Sequence, residues 1–453
     1  MYNIFSEIKP KGFILRRCRE YIIEMRRNKM VLLCTALMFI FAILWVITFV
    51  TKLAGGKNIL ANNFQPKSEK VTRKEIVKVF LYALIFRIGI YIAGVAIAMI
   101  FSDDVKYSFS DFLAGWNRWD SQHYIELAQK GYANCIENGQ HLFLVFFPLC
   151  PWLLKIVHFL VRDWQIAFLT LSTLTYCVGA VFFYLTVSQE YGKRTAEKAL
   201  VLVSVWPFAF FFGGMMTESL FFMTLSIGFY FIKKHNWLAV GITGIFCSLC
   251  RVQGVLLLGV AGVEFLETYS PVIMWKEKKI GKFFKEVFTK GIFLLLIPVG
   301  NLIYFYLNYK VEGDPFKFQE YQKDHWYHEV ANFNKGFGDV WRYLTDAGTT
   351  NSMKMSVWLP EVLIVVLMII VLFCALKTQP LKYTAYLWVY TMVCYGVTFL
   401  ISGGRYMLCA LPLFIIAGNF LENHEKLYQL VVVLSTVFMM VFMAGYFNGK
   451  QIM

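Results

Sequence analysis

Long apolar runs alternate with short polar connections along most of the chain. Seven runs reach about the 20 residues that a helix needs to cross a bilayer: 31–50, 77–101, 165–187, 291–309, 358–376, 383–401 and 427–446. Five shorter runs predict short or tilted helices: 199–213, 217–232, 237–250, 252–267 and 407–421. The pattern therefore predicts an all-α, polytopic membrane protein with about 11–12 transmembrane helices.

The composition agrees with a membrane protein. Hydrophobic residues make up 58% of the 453 positions and charged residues 16%, whereas a soluble domain has about 25% charged residues. This composition excludes a disordered chain and leaves a single soluble domain too little polar surface. Lys and Arg number 44 against 29 Asp and Glu, a net charge of +15. Such an excess is typical of cytoplasmic membrane loops, so no nucleic-acid partner is expected.

The positions of Lys and Arg predict the orientation of the helices. Five short connections are basic: 192–198, 233–234, 275–290, 377–382 and 426. All five share one side, the cytoplasmic one, if segment 142–161 lies along the interface and does not cross. The extracytoplasmic side then carries two long loops and three turns: 102–164, 310–357, 213–218, 251 and 402–405.

Residues 1–76 form a basic N-terminal extension with one apolar segment, followed by the predicted transmembrane domain at 77–446. Lys and Arg flank segment 31–50 on both sides, yet the two ends of a single crossing cannot both be cytoplasmic. Either segment 31–50 is re-entrant or interfacial, or the charge bias fails at one flank. We take 51–76 as cytoplasmic.

The first external loop holds residues suited to acid–base chemistry. Asp120, His123 and Tyr124 stand at i, i+3 and i+4, which places them on one face of a helix. A carboxylate beside a His just above the bilayer can accept a proton from a hydroxyl, so Asp120 and His123 are candidate catalytic residues. The alternative is a surface helix with an interfacial aromatic belt, to which Trp116 and Trp119 would belong.

Two charged residues interrupt the apolar runs further along the chain. Glu218 begins one apolar segment, and Arg251 separates two others. Ionisable residues inside a membrane are costly and mark functional sites. The alternative is a structural ion pair between the two.

A glycine-rich turn precedes the run at 407–421. In Ser402-Gly403-Gly404-Arg405-Tyr406, the turn, the helix N-terminus and the Arg together predict an anion site. The alternative is a plain turn with a snorkelling Arg.

The second external loop holds a pair of histidines with i, i+3 spacing, His325 and His328. This spacing suits a metal ion. Only Asp324 stands nearby as a third ligand, so a divalent metal is not favoured and no cofactor is expected.

Five motifs occur in order along the external side. They are Trp-Asp-x-x-His-Tyr with Gly-Tyr (119–132), Phe-Phe-Pro-Leu-x-Pro (146–151), Thr-Glu-Ser-Leu-Phe (217–221), Arg-x-x-Gly (251–254) and Arg-Tyr with Pro-Leu-Phe (405–414). With these motifs the chain resembles the GPI mannosyltransferase 2 family, also called PIG-V-like, of the GT-C superfamily of membrane glycosyltransferases. The resemblance covers 77–446. The chain departs from the family's pattern at Arg-Val-Gln-Gly (251–254) and Pro-Leu-Cys-Pro (148–151), which bears on the substrate rather than on the reaction.

The resemblance implies a GT-C-like bundle with external juxtamembrane loop helices. It also implies inverting transfer of a sugar, with mannose favoured, from a polyprenyl-phosphate donor to a hydroxyl of a glycan or glycolipid acceptor. Asp120 matches the acidic base of the family's first external loop, and Arg405 would hold the donor phosphate, with Arg251 or His325 as a second donor. The substrate-binding candidates all lie on the external side: Arg405, Arg251, Glu218, His325, Tyr124, Trp119 and Tyr406.

Other classes of membrane protein share these features. A multi-pass transporter or lipid flippase would also have many helices and buried charges, but it predicts repeated halves, and the chain contains no clear repeat. A membrane scaffold would leave Asp120 and Arg405 freely replaceable. The favoured location is a bacterial plasma membrane, because the chain shows no Lys-Asp-Glu-Leu-type retrieval signal; the alternative is the endoplasmic reticulum membrane.

Overall fold

The computed structural model describes residues 11–56, 62, 64–101 and 107–452, and it describes side chains from residue 29 onward. The regular secondary structure of these residues is helical, and their β pairing is limited to two isolated bridges, Glu137 with Gln140 and Val330 with Val397. The predicted all-α class is confirmed.

The described residues in the first half of the chain form nine α-helices. They are α1 (Lys11–Leu53), α2 (Arg73–Phe101), α3 (Phe109–Trp116), α4 (Ser121–Lys130), α5 (Leu149–Val161), α6 (Trp164–Tyr191), α7 (Lys193–Ser204), α8 (Glu218–Lys233) and α9 (Trp237–Cys250). Four 3-10 helices connect or follow them in the described residues: Tyr132–Asn134, Leu142–Val145, Ala209–Gly213 and Val252–Leu256.

The second half continues the bundle. Its α-helices are α10 (Leu257–Thr268), α11 (Pro271–Lys276), α12 (Ile280–Thr289), α13 (Val299–Glu312), α14 (Lys317–Trp326), α15 (Phe333–Thr345), α16 (Asn351–Met353), α17 (Leu359–Ala375), α18 (Leu381–Cys394), α19 (Gly403–Tyr406), α20 (Leu411–Leu421) and α21 (Glu425–Phe447). Its other helical segments are Gly291–Leu296, Lys354–Trp358 and Met407–Cys409.

Seven spans in the described part of the chain are long and apolar enough to cross a membrane. They are Lys29–Leu53, Arg73–Phe101, Trp164–Tyr191, Val252–Lys276, Gly291–Glu312, Asn351–Ala375 and Glu425–Phe447. Two further helical segments, Gly403–Cys409 and Leu411–Leu421, are bent by 73° relative to each other. Together they are long enough to count as an eighth span. The protein is therefore a multi-pass membrane protein, as predicted.

Not all of the expected 11 or 12 membrane helices have the length of a full span, because several apolar runs form short helices. α7, α8, α9, α18 and α20 have 12, 16, 14, 14 and 11 residues. At about 1.5 Å per residue, even 16 residues cover only about 24 Å of a core about 30 Å thick. The run 383–401 was expected to be long, but its helix ends at Cys394. Conversely, the short run at 252–267 continues into α11 and becomes a full span.

Segment 31–50 belongs to one continuous helix, so it is not a re-entrant turn. At the C-terminal end of α1, Lys52 Nζ lies 2.7 Å from Glu267 Oε2 of α10. At the other end, Val31 lies against Gly338 of α15, in the second long loop. The ends of this span thus lie at opposite ends of the bundle, and 51–56 lies with the basic connections.

Segment 142–161 contains one short helix, α5, of 13 residues. A helix of that length covers about 20 Å, which is less than the thickness of the hydrocarbon core. It packs against α4 and α6 while Phe159 and Leu160 remain exposed. The position of this segment along the interface stays a prediction.

Candidate active site

The candidate site lies where broken helices meet, at the end of the bundle away from the basic connections. The start of α4, the start of α8, the end of α9 and the short helix α19 converge there, each beside an irregular turn. Irregular backbone at membrane depth is tolerated where protein surrounds it. These breaks bring polar side chains together that the sequence holds far apart.

Glu218 is the centre of this cluster. Its side chain is fully buried, and Arg251 Nη2 donates to its Oε1 at 2.5 Å. Arg405 Nε lies 2.9 Å from the same oxygen. The predicted pairing of Glu218 with Arg251 is thus present, with a second Arg added. Two guanidinium groups share one carboxylate, which leaves an excess positive charge in the immediate cluster.

Further contacts hold each guanidinium in place. Arg251 Nε donates to Thr217 Oγ1 at 2.8 Å, and Arg405 Nη1 donates to Met216 Sδ at 3.2 Å. The Tyr406 ring lies 5.5 Å from the Arg251 guanidinium and 5.7 Å from that of Arg405. Cations over aromatic faces are stabilised by the ring quadrupole, so Tyr406 supports both.

Asp120 stands beside this cluster. Its Oδ2 lies 3.9 Å from Arg405 Nη2, and about a quarter of its side chain is exposed. Asp120 precedes α4 without capping it through its side chain, so the carboxylate is not committed to the helix. The structure therefore brings together the predicted base and the predicted phosphate ligand, with the base on the more accessible side.

The residue before Asp120 has a strained backbone. Trp119 has a φ of +49°, in the left-handed region that residues other than Gly rarely adopt. Its ring packs edge-on against Tyr446 at 4.8 Å and lies 6.4 Å from Phe211. Phe211 in turn lies 5.4 Å from the Arg405 guanidinium. Trp119 thus fixes the turn that carries Asp120 and forms part of the aromatic wall.

His123 and Tyr124 follow on the first turn of α4. The imidazole of His123 stacks on Phe143 with a centroid distance of 4.2 Å, and its Nδ1 has no hydrogen-bond partner among the described residues. Tyr124 is buried and packs against Phe146 at 4.9 Å. These ring contacts attach the loop to the following segment.

His325 lies in another part of the external side. Its side chain is exposed, and its Nε2 makes a hydrogen bond of 3.1 Å to Gln140 Oε1, which joins the two long loops. Burial lowers the pKa of the neighbouring His328 below its usual range. Among the described residues, no group of three His, Cys, Asp or Glu side chains is arranged to hold a metal ion.

The turn that carries Arg405 is organised by a residue the sequence did not point to. Glu361, near the start of α17, accepts hydrogen bonds from the N–H groups of Gly403 at 2.6 Å and Gly404 at 3.3 Å. The hydroxyl of Tyr395 donates to its Oε2 at 2.6 Å. The anion at this helix N-terminus is thus a carboxylate of the protein, and Arg405 is the group left to meet a substrate.

Arg87 is a second residue that sequence reasoning missed. It lies at the centre of α2, fully buried, with its guanidinium 4.4 Å from the Tyr176 ring. Its Nη1 donates to the carbonyl of Ala209 at 3.3 Å, in the segment that leads to Glu218. A charge inside the apolar run 77–101 was the available signal.

An apolar groove of about 470 Å³ opens between α1, α10 and α18. We call it the α1 groove; its lining includes Phe41, Trp45, Val255, Leu256, Val260 and Tyr386. Val255 and Leu256 are the last residues of the 3-10 helix Val252–Leu256, which follows Arg251 in the sequence. The Tyr386 hydroxyl donates to the carbonyl of Cys409 at 3.1 Å, which ties the wall of the groove to the segment after Arg405.

Comparisons with known proteins give one structural likeness to report. No protein-family model matches the chain, and no curated protein matches it. Six chains of solved structures match. One is the crystal structure of ArnT from Cupriavidus metallidurans bound to undecaprenyl phosphate, with 12% sequence identity and a TM-score of 0.49, covering 83% of this chain and 72% of that one.

Proposed function

We propose that the protein is an inverting glycosyltransferase that acts on the extracytoplasmic side of the membrane. It moves a sugar, with mannose favoured, from a polyprenyl-phosphate donor to an acceptor hydroxyl of a glycan or glycolipid. The observation that carries this proposal is the position of Asp120 Oδ2, 3.9 Å from a buried guanidinium of Arg405 that Glu218 holds together with Arg251. The favoured setting is a bacterial plasma membrane.

The chemistry needs a base and a cation in adjacent positions. Asp120 accepts the proton of the acceptor hydroxyl as the oxygen forms a bond to the anomeric carbon of the sugar. The bond between that carbon and the donor phosphate oxygen breaks, and its electron pair leaves with the lipid phosphate. Arg405, with Arg251 behind it, stabilises the negative charge that grows there. A single displacement inverts the anomeric centre and forms no covalent intermediate with the protein.

The lipid part of the donor has a suitable place beside these residues. The α1 groove is lined by apolar side chains and includes Val255, four residues after Arg251 in the sequence. We infer that a polyprenyl chain lies in it with its phosphate toward the two guanidinium groups. Burying apolar surface stabilises such binding by about 25 cal/mol per Å². The N-terminal helix α1, outside the region of family resemblance, would then form part of the donor site.

Substitution of Asp120 by Asn tests the proposal. Purified protein in lipid nanodiscs is given a polyprenyl-phosphate donor with a radiolabelled mannose and an extract of membrane glycolipids and glycans, and the loss of label from the donor is followed. Asp120→Asn should lower the transfer rate by about 10²–10⁴-fold, the usual contribution of a general base, with little change in donor affinity. Arg405→Ala should instead raise the apparent KM for the donor.

A matched control comes from an exposed acid on the same side, Asp324. Asp324→Asn makes the same change of charge and should leave the rate unchanged. Transfer by Asp120→Asn at nearly the wild-type rate would refute the assignment of the base. A wild-type protein that transports the lipid across the bilayer without releasing its sugar would favour the flippase alternative.

A further inference from the structure

We propose that Glu361 is a positioning residue that sets the location of Arg405. The effect of this positioning on catalysis rests on the proposed function. Glu361 lies in the first turn of α17 and is 2% exposed. Its oxygens are bonded to two backbone N–H groups and one tyrosine hydroxyl. No Lys, Arg or His of the described residues forms an ion pair with it. The buried carboxylate of Glu361 thus binds the backbone of the turn.

The turn needs such support because it cannot form by itself. α19 has four residues, and a helix this short is not stable without tertiary contacts. Besides Glu361, two side chains hold its carbonyl groups: Trp206 Nε1 donates to Gly404 O at 3.0 Å, and Tyr390 Oη donates to Tyr406 O at 2.8 Å. Three side chains from outside the turn therefore fix the backbone on both sides of Arg405.

Glu361 is the member of this group that reaches the N–H side of the turn. A four-residue helix leaves its first N–H groups without internal partners, and a buried N–H without a partner costs free energy. The carboxylate satisfies two of them, at Gly403 and Gly404. Removing it would leave these groups buried and unbonded, so the turn would shift or admit water, and the Arg405 side chain would move with it.

The two glycines make this approach sterically possible. A Cβ atom at position 403 would collide with the Glu361 carboxylate, and one at position 404 would collide with the Phe208 ring. The Gly-Gly pair before Arg405 therefore serves close packing against Glu361 and Phe208. It is not an open anion-binding turn.

The contacts distinguish this role from direct catalysis. Oε1 of Glu361 accepts both glycine N–H groups, and Oε2 accepts the Tyr395 hydroxyl. These three donors, within a site of 2% exposure, leave the carboxylate no open side toward a substrate. Its influence on the reaction passes through Arg405.

The experiment compares Glu361→Ala and Glu361→Gln with Arg405→Ala. The first measurement is hydrogen–deuterium exchange of the peptide that covers 402–408, which reports on the turn whatever the protein's substrate is. The second is binding of a polyprenyl phosphate without a sugar, in nanodiscs. The third separates kcat from KM with the sugar-linked donor. Asp324→Asn, a carboxyl change at an exposed position, is the matched control.

Glu361→Ala should speed exchange of the turn and weaken binding of the bare polyprenyl phosphate by about 10–100-fold, the range found for residues that support a liganding group. Glu361→Gln should restore most of both, because its amide oxygen can accept the Gly403 N–H. In the Arg405→Ala background, Glu361→Ala should add little further loss, since coupled residues are not additive. The control should match wild type in exchange and binding.

The outcomes separate this inference from the proposed function. If the turn of Glu361→Ala exchanges as slowly as that of wild type, or the losses from positions 361 and 405 simply add, the positioning role is refuted. If the turn is loosened but the wild-type protein does not bind the lipid phosphate, the proposed function fails while the positioning role stands. Should Glu361→Ala fail to fold, Tyr395→Phe removes one of the three bonds and must show the same pattern in smaller measure, or the inference is wrong.

Discussion

Replacing Glu218 by Gln tests whether the buried charge cluster stabilises the fold. The change is nearly isosteric and is well suited to this site, because Oε1 receives both Arg contacts while Oε2 has no partner among the described residues. A glutamine with its amide oxygen in the Oε1 position keeps the geometry and removes only the charge. Arg251 and Arg405 are then two buried cations that share a neutral acceptor.

The size of the effect follows from this loss of pairing. Removing one partner of a buried ion pair costs about 3–5 kcal/mol, because the remaining charge is left uncompensated. The unfolding entropy is about 2.1 cal/mol/K per residue. For 453 residues, the free energy of unfolding therefore changes by about 1 kcal/mol per degree near the thermal midpoint. Glu218→Gln should therefore lower the thermal midpoint by about 3–5 °C.

The cysteines of the protein provide the assay. Nine free cysteines lie in the part of the chain whose side chains are described, and all of them except Cys374 are buried. A thiol-reactive fluorescent dye therefore gives little signal with the folded protein and a rising one as it unfolds. The measurement is made in detergent at one lipid content for every variant, since bound lipid shifts the midpoint.

The control is an ion pair at the aqueous surface. Lys323 Nζ and Glu329 Oε1 lie 3.1 Å apart, and both side chains are about half exposed. Such pairs contribute at most about 1 kcal/mol, so Glu329→Gln should shift the midpoint by about 1 °C or less. A decrease for Glu218→Gln no larger than this would refute the reasoning about the buried cluster.

Two further predictions concern single residues outside that cluster. Arg87→Met should unfold at the wild-type temperature or above it, because it removes a buried cation that has no carboxylate partner among the described residues and keeps an apolar chain against Tyr176; a midpoint several degrees lower in the dye assay would contradict this. His328 has a pKa below its unfolded value because of burial, so the unfolded state binds the extra proton and stability should fall as the pH drops from 7 to 5. His328→Gln should flatten part of this dependence, and an unchanged slope would show that other groups cause it.

The site could be predicted from the sequence where charged residues lie within or beside apolar runs. Asp120, Glu218, Arg251 and Arg405 were assigned to one side by the distribution of Lys and Arg, and the structure places them in contact or close to it. Arg87 carried the same signal and could have been found. Hydropathy thus identifies side chains whose charge is costly in a membrane.

Glu361 also stands inside an apolar run, 358–376, but nothing in the sequence indicated what it binds. The partners of Glu361 are backbone N–H groups 42 and 43 residues away, and every residue type except Pro offers such a group. The lengths of the helices could not be predicted for a related reason. Hydropathy reports whether a segment is apolar, but a helix break such as the one after Cys394 depends on tertiary packing.

The order of the cluster along the chain has a consequence for how the protein is made. Glu218 enters the membrane first, and Arg251 follows 33 residues later, on the next helix of the hairpin formed by α8 and α9. We therefore expect the carboxylate to pair with Arg251 while most of the C-terminal half is still unsynthesised. Arg405 is synthesised near the end of translation and would join an ion pair that already exists. On this order the bilayer would receive a neutral pair during insertion, and the positive charge that suits a phosphate would be added only when the bundle can enclose it.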